Sequence, residues 1–266
     1  MRLLTFIASL FLSFAVNAND MVVHTVGDVQ SRVLAKMFFP DAPVIGSPGA
    51  DGAFVWKKLE GNSTDIAIQV PLVAHYFALT NKKEDPTQNH ELLATLAQIT
   101  QALVARPELP VTTVKDIKKL QRTVSVGWMG HSCDALTKKV FAAHGVEYVY
   151  VPFKSIPEAL NAFFGGHIDF ICPAGASLRQ ATQNNAGKVI VDYNAYYGFQ
   201  HTTFIYVNRD MPEQTKQKIL QRVTRQLTAE DRATADSNGF VLSVHTGKAA
   251  KDIFDRERQA WQKVLN

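Results

Sequence analysis

Short apolar runs rich in β-branched residues alternate with longer amphipathic stretches along most of the chain. Val22 to Val26 predicts a strand, and the apolar positions of residues 29–38 recur with the 3.6-residue period of a helix. The same rhythm returns after about residue 105, beginning with a strand at 124–127 and a helix at 134–144. Two strand–helix series of this kind predict an α/β fold with mostly parallel sheets flanked by helices.

The first 18 residues have the pattern of a secretory signal peptide. Arg2 precedes an almost wholly apolar run from Leu3 to Val16, and small residues at Val16 and Ala18 fit a signal-peptidase site. The run has about 14 residues, which at about 1.5 Å per residue is short for a bilayer core of roughly 30 Å. We therefore expect cleavage after Ala18 and export from the cytoplasm.

Composition adds limits on partners and cofactors. The 266 residues include 28 Lys and Arg against 24 Asp and Glu, and the basic residues are scattered, so no nucleic-acid surface is expected. The eight His are spaced singly and two Cys cannot alone complete a four-ligand zinc site, so neither a metal nor another cofactor is expected. Cys133 and Cys172 are either one disulfide, which export would permit, or two buried thiols.

In open α/β sheets, ligands bind beyond the carboxyl ends of the strands. Here those positions hold turns rich in glycine and small residues, which let backbone N–H groups approach a ligand closely. Two lobes that face each other through such turns would form an anion-binding cleft. The candidate ligand-binding residues are Gly27, Asp28, Ser47, Gly49, Gln69, Trp128, Gly130, His131, Ser132, Phe153, Lys154 and Pro173.

Residues 151–169 resemble the hallmark stretch of the Bug family, the periplasmic solute receptors of tripartite tricarboxylate transporters. The stretch reads VPFKS, then PEAL, then FGGHID, and is similar to the family's VPYKG, PALxxLLGG and VD pieces. The sequence PGADGA at 48–53 resembles the family's PGAGG loop, and ARPELPVTTV at 105–114 resembles its crossover strand with the turn that follows. The resemblance runs from about residue 22 to residue 223.

The resemblance implies a type II periplasmic-binding-protein fold, in which two α/β lobes are joined by two crossover strands. On this chain, lobe one would be residues 19–103 with 208–266, and lobe two would be residues 104–207. The crossovers would be residues 102–106 and 203–207. Family receptors grip one ligand carboxylate with the loops after the first strand of each lobe. The residues nearest the ligand would then be Gly27, Asp28, Gly130, His131 and Ser132.

The resulting hypothesis is a monomeric periplasmic receptor rather than an enzyme. It would close around a small organic carboxylate by hinge motion and deliver it to membrane transporter subunits or to a sensor kinase. A binding protein needs no acid–base pair, and the sequence offers no convincing one.

Two other function classes stay open at this point. Residues 130–134 partly match the G-x-S-x-G nucleophile elbow, so an exported hydrolase with Ser132 or Cys133 as nucleophile is one alternative. Asp134 stands where the elbow has its last glycine, which the strained turn of that motif requires. The other alternative is a receptor-derived module that binds a protein partner and no small ligand.

Overall fold

A computed structural model describes residues 21–48, 52–70, 89–130, 132–198 and 200–266. The expected signal peptide lies outside the described residues, as do two of the candidate ligand-binding residues, Gly49 and His131. Within the described ranges, no helix is long and apolar enough to cross a membrane.

Strands and helices alternate along the chain as the hydrophobic pattern predicts. The strands are β1 (Val23–Thr25), β2 (Val44–Gly46), β3 (Ile66–Gln69), β4 (His90–Ile99), β5 (Ala102–Ala105), β6 (Val124–Met129), β7 (Tyr148–Phe153), β8 (Phe170–Ile171), β9 (Lys188–Asp192), β10 (His201–Asn208) and β11 (Phe240–Thr246). The helices are α1 (Val29–Phe38), α2 (Ala53–Leu59), α3 (Val114–Ile117), α4 (Ser132–His144), α5 (Ile156–Phe164), α6 (Gly175–Thr182), α7 (Tyr193–Tyr197), α8 (Glu213–Val223), α9 (Ala229–Ser237) and α10 (Gly247–Leu265).

The strands form two separate sheets. Sheet one has the strand order β11-β4-β10-β3-β1-β2, and sheet two has the order β7-β6-β8-β5-β9. In sheet one, β1, β2 and β3 are parallel, and β10 runs antiparallel to both of its neighbours. In sheet two, β6, β7 and β8 are parallel, and β5 runs antiparallel to β8 and β9. Two mixed sheets flanked by helices confirm the predicted two-lobe α/β fold. The sheets were expected to be mostly parallel, but each contains at least as many antiparallel as parallel strand pairs.

The chain passes between the sheets at two places. β4 leads through Thr100 and Gln101 into β5, and β9 leads through α7 into β10. The segments expected as crossovers, 102–106 and 203–207, instead lie mostly within β5 and β10, which are interior strands of sheets two and one. An apolar β-branched run specifies a buried strand, but its neighbours in the sheet depend on long-range pairing. The resemblance implied a crossover at residues 203–207, whereas these residues pair inside sheet one.

The C-terminal helix α10 packs against both sheets. Its first half contributes Phe254 to an apolar cluster with Phe204 of β10, on one face of sheet one. Its second half contributes Trp261, which is 1% exposed, and Val264 to the core of lobe two. Residues 208–266 were expected in lobe one as a whole, whereas the structure places the end of this segment in lobe two's core.

Candidate functional site

The carboxyl-terminal edges of the two sheets face each other across the crossovers. β10 begins at the second crossover and runs antiparallel to β3, so the carboxyl ends of β3 and of its parallel neighbour β1 lie on the crossover side. β5 begins at the first crossover and runs antiparallel to β8, so the carboxyl ends of β8 and β6 also lie on that side. The loops that follow these strands therefore lie on the crossover side of each sheet, where the sequence analysis expects an interlobe cleft.

In lobe one, the first loop is closed by its own side chains. Gly27 has a φ of +86° and donates its N–H to Thr25 Oγ1 at 3.1 Å. Asp28 is the N-cap of α1, and its Oδ1 accepts the Ser31 N–H at 2.8 Å. A carboxylate of the protein itself thus occupies the N-terminus of α1, where an anionic ligand would otherwise bind.

The second oxygen of Asp28 is buried and has no hydrogen-bond partner among the described residues. Burial raises the pKa of this carboxyl above its usual range, although hydrogen bonding by Ser31 and the nearby charge of Arg32 act in the opposite direction. The Asp28 side chain therefore fills the N-terminus of α1, and its raised pKa reduces the negative charge that it presents there.

Arg32 supplies a cation next to the same loop. A Cβ placed on Gly46 would lie 2.8 Å from Arg32 Nη2, so the absent side chain leaves room for the guanidinium beside the ends of β1 and β2. The guanidinium is exposed and has neither a hydrogen bond nor an ion pair to any described residue. The sequence analysis considered only the apolar residues of α1 and therefore did not select Arg32. The position of this basic residue, one turn after the N-cap Asp28, could have indicated that it lies near the loop.

Gln69, the last residue of β3, is fully buried, and neither its amide nitrogen nor its amide oxygen has a partner in the described part of the chain. An unpaired buried amide costs free energy, about 1–3 kcal/mol per group. Ser47, the other lobe-one candidate described, continues the sheet by donating its N–H to the Thr25 carbonyl at 2.8 Å.

In lobe two, a tyrosine of the neighbouring strand fixes the predicted ligand loop. The Tyr150 hydroxyl donates to the carbonyl of Gly130 at 2.6 Å and lies 3.0 Å from that of Trp128. Gly130 has a φ of +68°, which glycine adopts without strain. The Trp128 side chain, 7% exposed, packs in the core of lobe two. Strand alternation alone could not reveal this hydroxyl contact.

The first turn of α4 begins at Ser132 and is fixed by two further contacts. The Asp134 carboxylate accepts a hydrogen bond from the Tyr148 hydroxyl at 2.6 Å, so it is held against β7. Cys133 and Cys172 form a disulfide with a Cα–Cα distance of 5.9 Å, which joins this turn to the end of β8. The structure thus decides between the two states that the sequence left open for these cysteines. The Cys133 sulfur is bonded and therefore is not a free thiolate nucleophile.

The three remaining lobe-two candidates serve packing and turns. Phe153 covers Gly127, where an added Cβ would lie 2.6 Å from the Phe153 ring. Lys154 is exposed, and its backbone N–H donates to Glu158 Oε2 at 3.1 Å. Pro173 is buried at the first crossover, where its carbonyl accepts the Ala102 N–H at 3.1 Å. Among the described residues, no three His, Cys, Asp or Glu side chains are grouped so that they could hold a metal ion.

No protein-family model and no curated protein sequence matches the chain. Solved structures do resemble it. The periplasmic binding protein BugD is 15% identical, with a TM-score of 0.74 over 92% of this chain and 96% of that chain. MatC from Rhodopseudomonas palustris, solved with malate, is 17% identical, with a TM-score of 0.75 over 92% and 99%. Another R. palustris protein, solved with adipate, is 14% identical, with a TM-score of 0.76 over 92% and 95%. The chain therefore has the two-lobe, type II fold of periplasmic binding proteins.

Proposed function

We propose that the chain is a periplasmic solute-binding protein of the Bug type, which captures a small organic carboxylate between its lobes. The observation that carries the proposal is the pair of facing sheet edges. On the lobe-one side, the Arg32 guanidinium and the Gln69 amide have no hydrogen-bond partner among the described residues. A guanidinium and an amide are suited to carboxylate binding, because both present N–H donors to its oxygens.

The lobe-two side would hold the ligand with Gly130 and Ser132. Tyr150 and the Cys133–Cys172 disulfide preorganise these two residues, which reduces the ordering cost of binding. The relatives solved with malate and adipate support a carboxylate as the ligand class. The Bug-like motif at residues 151–169 gives independent support from the sequence.

The protein would act as an exported monomer in the periplasm, after removal of residues 1–18. Closure around the ligand by hinge motion at the two crossovers would create the form that membrane transporter subunits or a sensor kinase recognise. A hydrolase with Cys133 as nucleophile is disfavoured by the disulfide. Loss of esterase or amidase turnover in Ser132→Ala would be the observation that favours a hydrolase instead.

The test is a thermal-shift and calorimetric screen of the chain from residue 19 with mono-, di- and tricarboxylates, malate and adipate included. A ligand at 100 times its Kd should stabilise the folded protein by about 2.7 kcal/mol. Arg32→Gln should weaken binding about 10- to 100-fold, the usual effect of losing a charge-assisted hydrogen bond. Lys36→Gln, an exposed change one turn further along α1, is the matched control. A folded protein that no acid stabilises would contradict the proposal.

A further inference from the structure

A cavity of about 470 Å³ lies between the second crossover, which contains α7, and helix α10. We call it the hinge cavity. It adjoins β9 at one end of sheet two, whereas the carboxylate loops follow β6 and β7 at the other end. Its walls include Asn194, Gly198, Gln200, Ile253, Arg256 and Glu257.

Glu257 is the buried polar group of this cavity. It is 4% exposed, and its Oε1 accepts the Thr202 N–H at 3.0 Å. Among the described residues, no second hydrogen-bond donor contacts this carboxyl, and no Lys, Arg or His forms an ion pair with it. The hydroxyl of Thr202 beside it is also buried and lacks a partner among the described residues. A buried carboxylate without a cation is unfavourable, so burial favours the protonated form of this carboxyl.

The other residues that line the cavity are bonded, apolar or exposed, so Glu257 is the group with which a ligand would pair. The Asn194 amide is already bonded, since it donates to the Ile99 carbonyl at 2.7 Å and accepts the Gln101 N–H at 3.1 Å. Ile253 provides an apolar surface at 8% exposure. Arg256 is exposed at the rim, where solvent screens its charge.

We propose that the hinge cavity binds a short alkylammonium compound, with its nitrogen paired to Glu257 and its alkyl chain against Ile253. An ω-amino acid fits the same site, because its carboxylate can meet Arg256 at the rim. This site is additional to the interlobe carboxylate site and does not depend on it.

Proton release gives the proposal a specific signature. Burial raises the pKa of Glu257 to about 8, and the hydrogen bond from Thr202 and the charge of the exposed Arg256 act in the opposite direction. His201, next to Thr202 on β10, has a pKa lowered by burial to about 3 and is therefore neutral at pH 7. Binding of an ammonium ion at pH 7 ionises Glu257, so about one proton per ligand must leave the protein.

The experiment is isothermal titration calorimetry of the chain from residue 19 with butylammonium chloride at pH 7, in two buffers of different ionisation enthalpy. We expect saturable binding with release of about one proton. Glu257→Gln keeps the shape and the bond to Thr202 but should weaken binding at least tenfold and abolish the proton release. Glu230→Gln, an exposed change on α9, should leave both quantities unchanged. Potassium butyrate should not bind in the hinge cavity.

Several results would overturn the proposal. They are the absence of butylammonium binding by folded protein, equal binding by Glu257→Gln, and equal displacement by butyrate. A second variant, Ala195→Leu, keeps the test decisive if Glu257→Gln does not fold. Ala195 also lines the cavity, on α7 and thus on the wall opposite α10, and a leucine there would fill the space. It should block butylammonium and leave Glu257 in place, and unaltered binding by this folded variant would also refute the site.

Discussion

Reduction of the Cys133–Cys172 disulfide should destabilise the protein by about 4 kcal/mol. The bond closes a loop of 39 residues, and the chain-entropy relation for a loop of that length gives about 13 cal/mol/K, or about 4 kcal/mol at 25 °C. The bond also joins the first turn of α4 to the end of β8. Its loss should therefore loosen the turn that carries Ser132 and weaken carboxylate binding as well as global stability.

Urea unfolding of the oxidised and the reduced protein, followed by circular dichroism, measures the difference at constant sequence. The double variant Cys133→Ala/Cys172→Ala serves as the control, since reductant should not change its unfolding midpoint. Thiol titration before unfolding verifies the redox state of each sample. A difference below about 1 kcal/mol between oxidised and reduced protein would refute the reasoning, as would reactive thiols in the protein isolated from an oxidising compartment.

Three further changes test other parts of the structure. Trp261→Ala should cost about 3–5 kcal/mol in urea unfolding, because α10 inserts this buried ring into the core of lobe two; Gln262→Ala, exposed beside it, should cost little. Burial raises the pKa of Glu257 from 4.5 to about 8, so the folded protein binds more protons than the unfolded chain within that window, and stability should fall as pH rises from about 4.5 to 8. Glu257→Gln should flatten this part of the stability–pH curve, and an unchanged slope would show that the carboxyl ionises normally. Tyr150→Phe should cost about 1 kcal/mol and weaken carboxylate binding, because the hydroxyl that fixes Gly130 is lost; Tyr196→Phe, at a ring that is 47% exposed, is its control.

The hallmark motif illustrates what a sequence pattern can and cannot reveal. The FGGHID stretch identified the resemblance, but its aspartate, Asp169, has a structural role here. Its carboxylate accepts two hydrogen bonds from Arg122 at 2.7 Å, one from Arg106 at 3.2 Å and one from the Ser125 N–H at 2.9 Å. Burial acts to raise the pKa of Asp169, yet these donors, Arg122 above all, lower it to about 2. Asp169 thereby ties β6 to the start of β8.

The sequence predicted the loops of the candidate site, but the structure shows other contacts for some of their side chains than the sequence suggested. Residues after a strand were placed correctly at the sheet edges, because the carboxyl end of a strand follows from the chain direction. Asp28 caps its own helix, however, and the guanidinium of Arg32 lies beside Gly46 at the same edge. The state of Cys133 also required the fold, since 39 residues separate it from its partner.

The sequence by itself determined the local elements and the α/β class, because the period of apolar residues depends only on near neighbours and on the geometry of one helix or strand. It also carried the motif from which the two-lobe fold was expected. The tertiary structure decided that β10 lies inside sheet one, that α10 packs on both lobes, and that Glu257 is buried. Strand partners, burial and the approach of distant side chains depend on contacts between residues far apart in the chain, and no local spacing encodes them.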